Sequence, residues 1–263
     1  MPGNGPRLGF VIVGAQKCGT SALAHFLSQH PEIGMASPTE AHIFDAPDYV
    51  PGTPAAEIDR CHDASFAHCA DARIWGEATP IYMFMPGIAA ELSRYNPRLK
   101  LIVLLRDPVE RAISNYHMER DRGAESLPLW LALLSEPVRR WLCRDARPYD
   151  SALRTHSYRG RGLYSKQLRN LFRYFPRDSI LVLFTRDLLD AHDAVFRRVC
   201  DFLGVPNAGV TQTMVREGDY RGKKHRLVSG ILRLSFLAES RRLRATLGND
   251  DGCRGRLPPK IHG

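Results

Sequence analysis

The sequence contains no apolar run approaching the ~18–20 residues that a membrane-spanning helix needs, which excludes a transmembrane bundle. It also lacks low-complexity tracts, internal repeats and long Gly/Ser/Pro linkers, so a disordered or fibrous chain is excluded and one domain over residues 1–263 is expected. The N-terminus carries no apolar signal stretch, and a soluble cytoplasmic protein is the expectation. No Cys-x-x-Cys pair occurs among Cys18, Cys61, Cys69, Cys143, Cys200 and Cys253, so reduced thiols are expected. Cys61-His62 and His68-Cys69 sit at a spacing that fits no common zinc site, and no metal is expected. Lysine is scarce: of 37 basic residues six are Lys, leaving 31 Arg. Arginine is the better bidentate ligand for phosphate and sulfate.

What is present is an ordinary globular composition: 263 residues, 44% hydrophobic, 25% charged, with a net charge of +9. The basic excess favours an anionic partner without choosing one. The arginines are dispersed and no aromatic-basic recognition motif appears, so no nucleic-acid partner is expected. Leu8 to Val13, Lys100 to Leu105 and Ser179 to Phe184 are short continuous apolar runs, as buried parallel strands should be. Between them, helical spacing marks 20–30, a helix opened by Asp107-Pro108 and running to about Arg122, Leu163 to Phe175, and Leu188 to Leu203, stopped by Gly204. Strands alternating with helices argue for an α/β fold with a parallel sheet covered on both faces. Its ligand should lie beyond the carboxyl ends of the strands. Residues 126–144 are dense in Leu and Trp and read as a core helix, an acceptor lid or an oligomer contact. Fraying is expected after about Asn249.

The first strand is followed by Gly14-Ala15-Gln16-Lys17-Cys18-Gly19-Thr20-Ser21. Two glycines five apart let backbone N–H groups turn around an anion, and the helix that begins there adds its partial positive charge. The spacing is nearly that of the nucleotide-binding P-loop. A nucleotide-hydrolysing loop needs its lysine after the second glycine, where this chain has Thr20; its lysine, Lys17, lies inside the loop. The segment resembles the 5′-phosphosulfate loop of the sulfotransferases that use 3′-phosphoadenosine 5′-phosphosulfate (PAPS).

The resemblance spans about residues 8–230. Arg106, at a strand end, and Ser114, eight residues on, resemble the family's 3′-phosphate segment, Arg offering a fork and Ser a hydroxyl. Arg159 to Tyr164 and Phe175 to Leu183 resemble a glycine-tyrosine helix entry and a late strand. Arg221-Gly222-Lys223 resembles the basic loop that closes over the same phosphate. Glu40-Ala-His42-Ile-Phe44-Asp45, just beyond a second short strand region, resembles the heparan-sulfate-type branch, in which the glutamate is the general base. Carried over, Glu40 takes the acceptor proton, His42 belongs with it and Lys17 to the catalytic set, and Glu40, His42, Asp45 and Tyr82 line the acceptor pocket.

The resemblance implies a P-loop NTPase-like three-layer sandwich, a central parallel sheet between helices. It also implies sulfuryl transfer from PAPS to a hydroxyl on a sugar, lipid or small natural product, releasing adenosine 3′,5′-bisphosphate (PAP) without a metal. Lys17 would stabilise the leaving oxygen. Where the branch often has lysines this chain has Thr39 and Ala78, which argues against a heavily sulfated acceptor. The rival readings are a P-loop kinase or NTPase, and a non-catalytic module that binds the bisphosphate nucleotide.

Overall fold

Short runs rich in Ile, Val and Leu make the strands Leu8–Gly14, Lys100–Leu105 and Ile180–Phe184, and these end at Gly14, before Arg106 and before Thr185 respectively. The computed structural model describes residues 7–143, 145–209 and 226–248. In chain order the elements are β1 (Leu8–Gly14), α1 (Thr20–Leu27), β2 (Ile33–Met35), α2 (Ala55–Phe66), β3 (Ile74–Glu77), α3 (Ile88–Tyr95) and β4 (Lys100–Leu105). There follow α4 (Pro108–Asp121), α5 (Leu129–Leu142), α6 (Ala152–Thr155), α7 (Tyr164–Leu171), β5 (Ile180–Phe184), α8 (Thr185–Asp190), α9 (His192–Leu203) and α10 (Arg226–Leu247). They fall into two compact units, one drawn from Met1–Leu105 with Asn170–Val215, the other from Arg106–Arg169 with Arg216–Gly263.

The first unit holds a five-stranded sheet in the order β2-β3-β1-β4-β5, every neighbouring pair parallel. This is the expected α/β architecture, a central parallel sheet with helices against it; α1 packs on β1 and β2, and α9 on β5. Phe10 to Val13 and Leu101 to Leu104 are fully buried, as central strands covered on both faces must be. The expected strand Lys100–Leu105 has the same bounds in the structure. β3 is not visible as a strand in the sequence: it has four residues, one of them Gly76, and it ends on Glu77. Gly76 is there for space, because a Cβ would lie 2.4 Å from the Phe10 ring. The expected helix over 188–203 is two helices broken at Ala191, the first starting at Thr185 directly from β5. The helix expected to reach His30 ends at Leu27. His30 instead bridges two segments, its ring nitrogens meeting the Pro206 carbonyl at 2.7 Å and the Glu32 N–H at 3.1 Å.

In the second unit α4 begins as the Asp107-Pro108 pair implies. The Asp107 carboxylate accepts from the N–H groups of Val109 and Glu110 at 2.9 and 3.0 Å, and proline fills the first turn. A core cluster joins Val109, Ala112 and Tyr116 of α4 to Leu129 and Ala132 of α5, Tyr158, and Leu232 and Phe236 of α10. Buried polar groups surround it. Burial and the neighbouring Arg111 guanidinium pull the Arg161 side chain down to about 9. Glu136 accepts from the Arg159 and Gly160 N–H groups, both at 2.7 Å. Replacing Glu136 with Ala strands those two donors, and a loss of about 2–4 kcal/mol in unfolding free energy is expected from denaturant melts. The Leu- and Trp-rich segment is core on one face only: α5 buries Leu129, Ala132 and Glu136 and leaves Trp130, Leu134, Val138 and Trp141 exposed.

Candidate active site

The loops that follow β1, β2 and β3 all lie at the carboxyl edge of the sheet. The first of them, residues 14–21, is the glycine-rich turn. Gly14 has no room for a side chain, since a Cβ would meet Met83 Sδ at 2.1 Å. Lys17 and Gly19 both adopt positive φ, 70° and 87°, and so reverse the chain at the crest of the turn. The Ala15 N–H donates to the Leu104 carbonyl at 2.8 Å and the Cys18 N–H to the Ala15 carbonyl at 3.1 Å. Those two amides are hydrogen-bonded within the protein, one to β4 and one across the turn. Thr185 pins the turn from below, its hydroxyl 2.6 Å from the Cys18 carbonyl and 3.2 Å from that of Leu105.

α1 starts at Gly19 with no side-chain cap and no acidic residue in its first turn. A helix end left this way presents N–H donors and positive potential to an anion. Thr20 is buried there and Ser21 is exposed, while Gln16 and Lys17 are half-buried.

The second loop carries Glu40, His42 and Asp45. His42 adopts φ 53° and stands between two carboxylates: Nδ1 is 3.0 Å from Asp45 Oδ1, and Nε2 is 3.1 Å from Glu40 Oε2. The hydrogen bond to Asp45, then that to Glu40, raises the imidazole to about 9 against the cost of its burial. At neutral pH His42 is therefore an imidazolium, and of the two carboxylates Glu40 is the one that reaches solvent.

The other two predicted pocket residues sit differently. The Asp45 side chain has no exposed surface and Tyr82 is 1% exposed. The Tyr82 hydroxyl accepts the Phe44 N–H at 3.2 Å, and its ring meets that of Phe44 edge-on. Both side chains are buried and prop the loop from inside; an irregular loop has no period from which inward and outward sides could be read.

The third loop contributes a support that the sequence reading misses. Glu77, fully buried at the end of β3, accepts the Ala41 N–H at 3.2 Å and the Thr79 hydroxyl at 2.8 Å; Thr79 in turn accepts the His42 N–H at 3.4 Å. The other Glu77 oxygen lies 3.9 Å from Nε2 of His62, which is also fully buried and whose Nδ1 meets the Ile58 carbonyl at 3.0 Å. No sequence signal marks this role, because the short, glycine-containing β3 that Glu77 ends is itself not legible as a strand. Replacing Glu77 with Ala frees the loop that carries Glu40. It is expected to lower kcat roughly 10²-fold through misplacement, with donor KM little changed. Glu77→Gln, whose amide oxygen can accept the same two bonds, should recover most of it.

Arg106 and Ser114 belong to the second unit, Arg106 just before α4 and Ser114, half-buried, in its second turn. Arg106 Nε donates to Glu110 at 3.0 Å, and its carbonyl accepts the Tyr164 hydroxyl at 3.1 Å. Arg221, Gly222 and Lys223 lie outside the described residues. Cys61 is an exposed thiol on α2, and among the described residues no group of three His, Cys, Asp or Glu side chains is placed to hold a metal ion.

Comparison with known proteins gives this arrangement its family. The profile described as "Sulfotransferase domain" matches residues 9–233. The chain belongs to the sulfotransferase-domain family. Mouse heparan sulfate glucosamine 3-O-sulfotransferase 6 is 32% identical over 202 residues, covering 74% of this chain and 52% of that protein. Human heparan sulfate glucosamine 3-O-sulfotransferase 3B1 is 30% identical over the same share of this chain and 45% of its own. The chain thus spans about half the length of these curated relatives. Among solved structures, a sulfotransferase from Alicyclobacillus acidocaldarius superposes with a TM-score of 0.73 at 30% identity, over 91% of this chain and 95% of that one. The fold of this sulfotransferase chain is thereby the P-loop NTPase-like sandwich expected from its sequence.

Proposed function

We propose that the chain transfers the sulfuryl group of PAPS to an acceptor hydroxyl and releases PAP. The acceptor oxygen forms a bond to sulfur as the bond from sulfur to the 5′-phosphate oxygen breaks, and the acceptor proton passes to Glu40. Charge is spread over the equatorial oxygens, as in phosphoryl transfer, so positioning and electrostatics supply most of the catalysis. The turn over residues 14–21, with the uncapped start of α1, holds the 5′-phosphosulfate. Lys17 stabilises charge on the leaving oxygen. Arg106 and Ser114 bind the 3′-phosphate, with Arg221, Gly222 and Lys223 closing over it; these roles rest on the family resemblance.

One observation carries the reading: Glu40 is held 3.1 Å from a histidine that keeps its proton to about 9. The same contact fixes the Glu40 carboxylate beside the turn that His42 closes. A carboxylate is a weak base toward an alcohol, so it takes the proton late, as the oxygen–sulfur bond forms.

The relatives' names describe transfer to heparan sulfate glucosamine. With Thr39 and Ala78 in place of branch lysines, we assign this chain a less anionic acceptor, a hydroxyl on a sugar, lipid or small natural product. The test is an acceptor screen with PAPS across neutral sugars, glycolipids, phenols and heparan sulfate, read by mass spectrometry. The reading expects a sulfate mass gain on a weakly charged alcohol, with PAP formed in equal amount. Preference for heparan sulfate overturns the acceptor assignment, and no PAPS-dependent gain on any alcohol overturns the activity.

A further inference from the structure

The second unit turns two apolar stripes outward. On α5, Trp130, Leu134, Val138 and Trp141 follow one another at helical spacing on the side away from the core, with Trp141 82% exposed. On α10, Leu227, Ile231 and Leu234 do the same, at 87%, 70% and 70% exposed, opposite the buried Leu232 and Phe236. Solvent alone does not account for aligned stripes of this kind on two helices of one unit.

The charge around the stripes selects what covers them. α10 exposes Arg233, Arg241, Arg242 and Arg244, the last three crowding its C-terminal end. The two helices contain one acidic residue each, and both are buried: Glu136 is bonded to the Arg159 and Gly160 N–H groups, and Glu239 accepts from Ser165 at 2.6 and 2.9 Å. These outward faces thus carry aromatic, aliphatic and cationic side chains with no exposed carboxylate on either helix. Two copies meeting through them would set arginine against arginine. An anionic lipid surface accepts the apolar side chains at its acyl boundary and pairs its phosphates with the guanidinium groups. α10 is long enough but too charged to cross a bilayer, and no helix among the described residues is long and apolar enough to do so.

We propose that the outward faces of α5 and α10 seat this unit on the surface of an anionic bilayer, lying in the interface without crossing it. The inference stands apart from the catalytic reading, since it uses none of the residues assigned to sulfuryl transfer.

The test is cosedimentation of the full chain with phosphatidylcholine vesicles and with vesicles containing one quarter phosphatidylglycerol, in moderate salt. Binding to the acidic vesicles with a blue shift in tryptophan emission is expected, along with weak binding to the neutral ones. Replacing Arg241 and Arg242 with Ala should lower the partition coefficient roughly 30-fold, about fivefold per arginine. Ile231→Glu with Leu234→Glu, and Trp130→Glu with Trp141→Glu, should each abolish binding; thermal melts of these surface variants should match the parent. Three results would overturn the proposal: no binding to acidic vesicles, equal binding to both vesicle types, or binding that survives both glutamate pairs. A dimer by light scattering that those pairs split, with no vesicle binding, would assign the faces to a second copy instead.

Discussion

Replacing Lys17 with Ala is expected to lower kcat for sulfuryl transfer about 10²–10³-fold, the usual cost of removing one preorganised donor from a developing oxyanion. Lys17 sits at the crest of the turn in a left-handed conformation, two residues before Gly19. Its ammonium matters most when the bond from sulfur to the 5′-phosphate oxygen is breaking, so the loss should appear in kcat. Affinity for PAP should fall by less than the rate, because the uncapped start of α1 still meets the phosphate. Single-turnover kinetics with labelled PAPS, alongside calorimetric titration with PAP, separate the two. An equal loss in both would make Lys17 a binding residue only.

Glu40→Gln should cost roughly 10²–10⁴ in kcat, since the amide cannot take the acceptor proton. It should also leave a second signature. Asp45 and then Glu40 hold the His42 proton on up to about 9 in the parent chain. With one carboxylate gone, the alkaline limb of the His42 titration, followed by NMR, should move down towards the ordinary histidine range. Stability carries the same linkage. The folded state holds the His42 proton more tightly than the unfolded chain does. Its contribution is therefore full below about pH 6.5 and is lost as pH rises through about 9. Chemical melts at pH 6 and pH 9.5 should show the parent losing more stability than Glu40→Gln across that interval. The effect is modest because a third of the His42 side chain reaches solvent.

Local spacing makes the turn over residues 14–21 legible in the sequence alone. Two glycines, an internal lysine and a Thr-Ser pair sit within one strand-to-helix connection, and each has a backbone or charge reason to be there. β1, β4 and β5 were legible for the same cause, since buried parallel strands are continuous apolar runs. What escaped was whatever depends on contacts distant in sequence. β3 is short and glycine-interrupted, and it pairs only because β1 and β2 flank it. Its terminal Glu77 supports a loop 36 residues earlier through the Ala41 N–H. The burial of Asp45 and Tyr82 is likewise not legible, because no periodicity in an irregular loop tells which side chains turn inward. The split of the chain into two units was equally hidden, as one boundary falls between Leu105 and Arg106, inside a continuous motif.

The most direct measurement of the central claim is a crystal structure of this chain with adenosine 3′,5′-bisphosphate. The 5′-phosphate is expected on the turn between Gly14 and Ser21, with Lys17 Nζ within hydrogen-bonding distance of one of its oxygens. A nucleotide bound elsewhere, or that ammonium directed away from the 5′-phosphate, would contradict it.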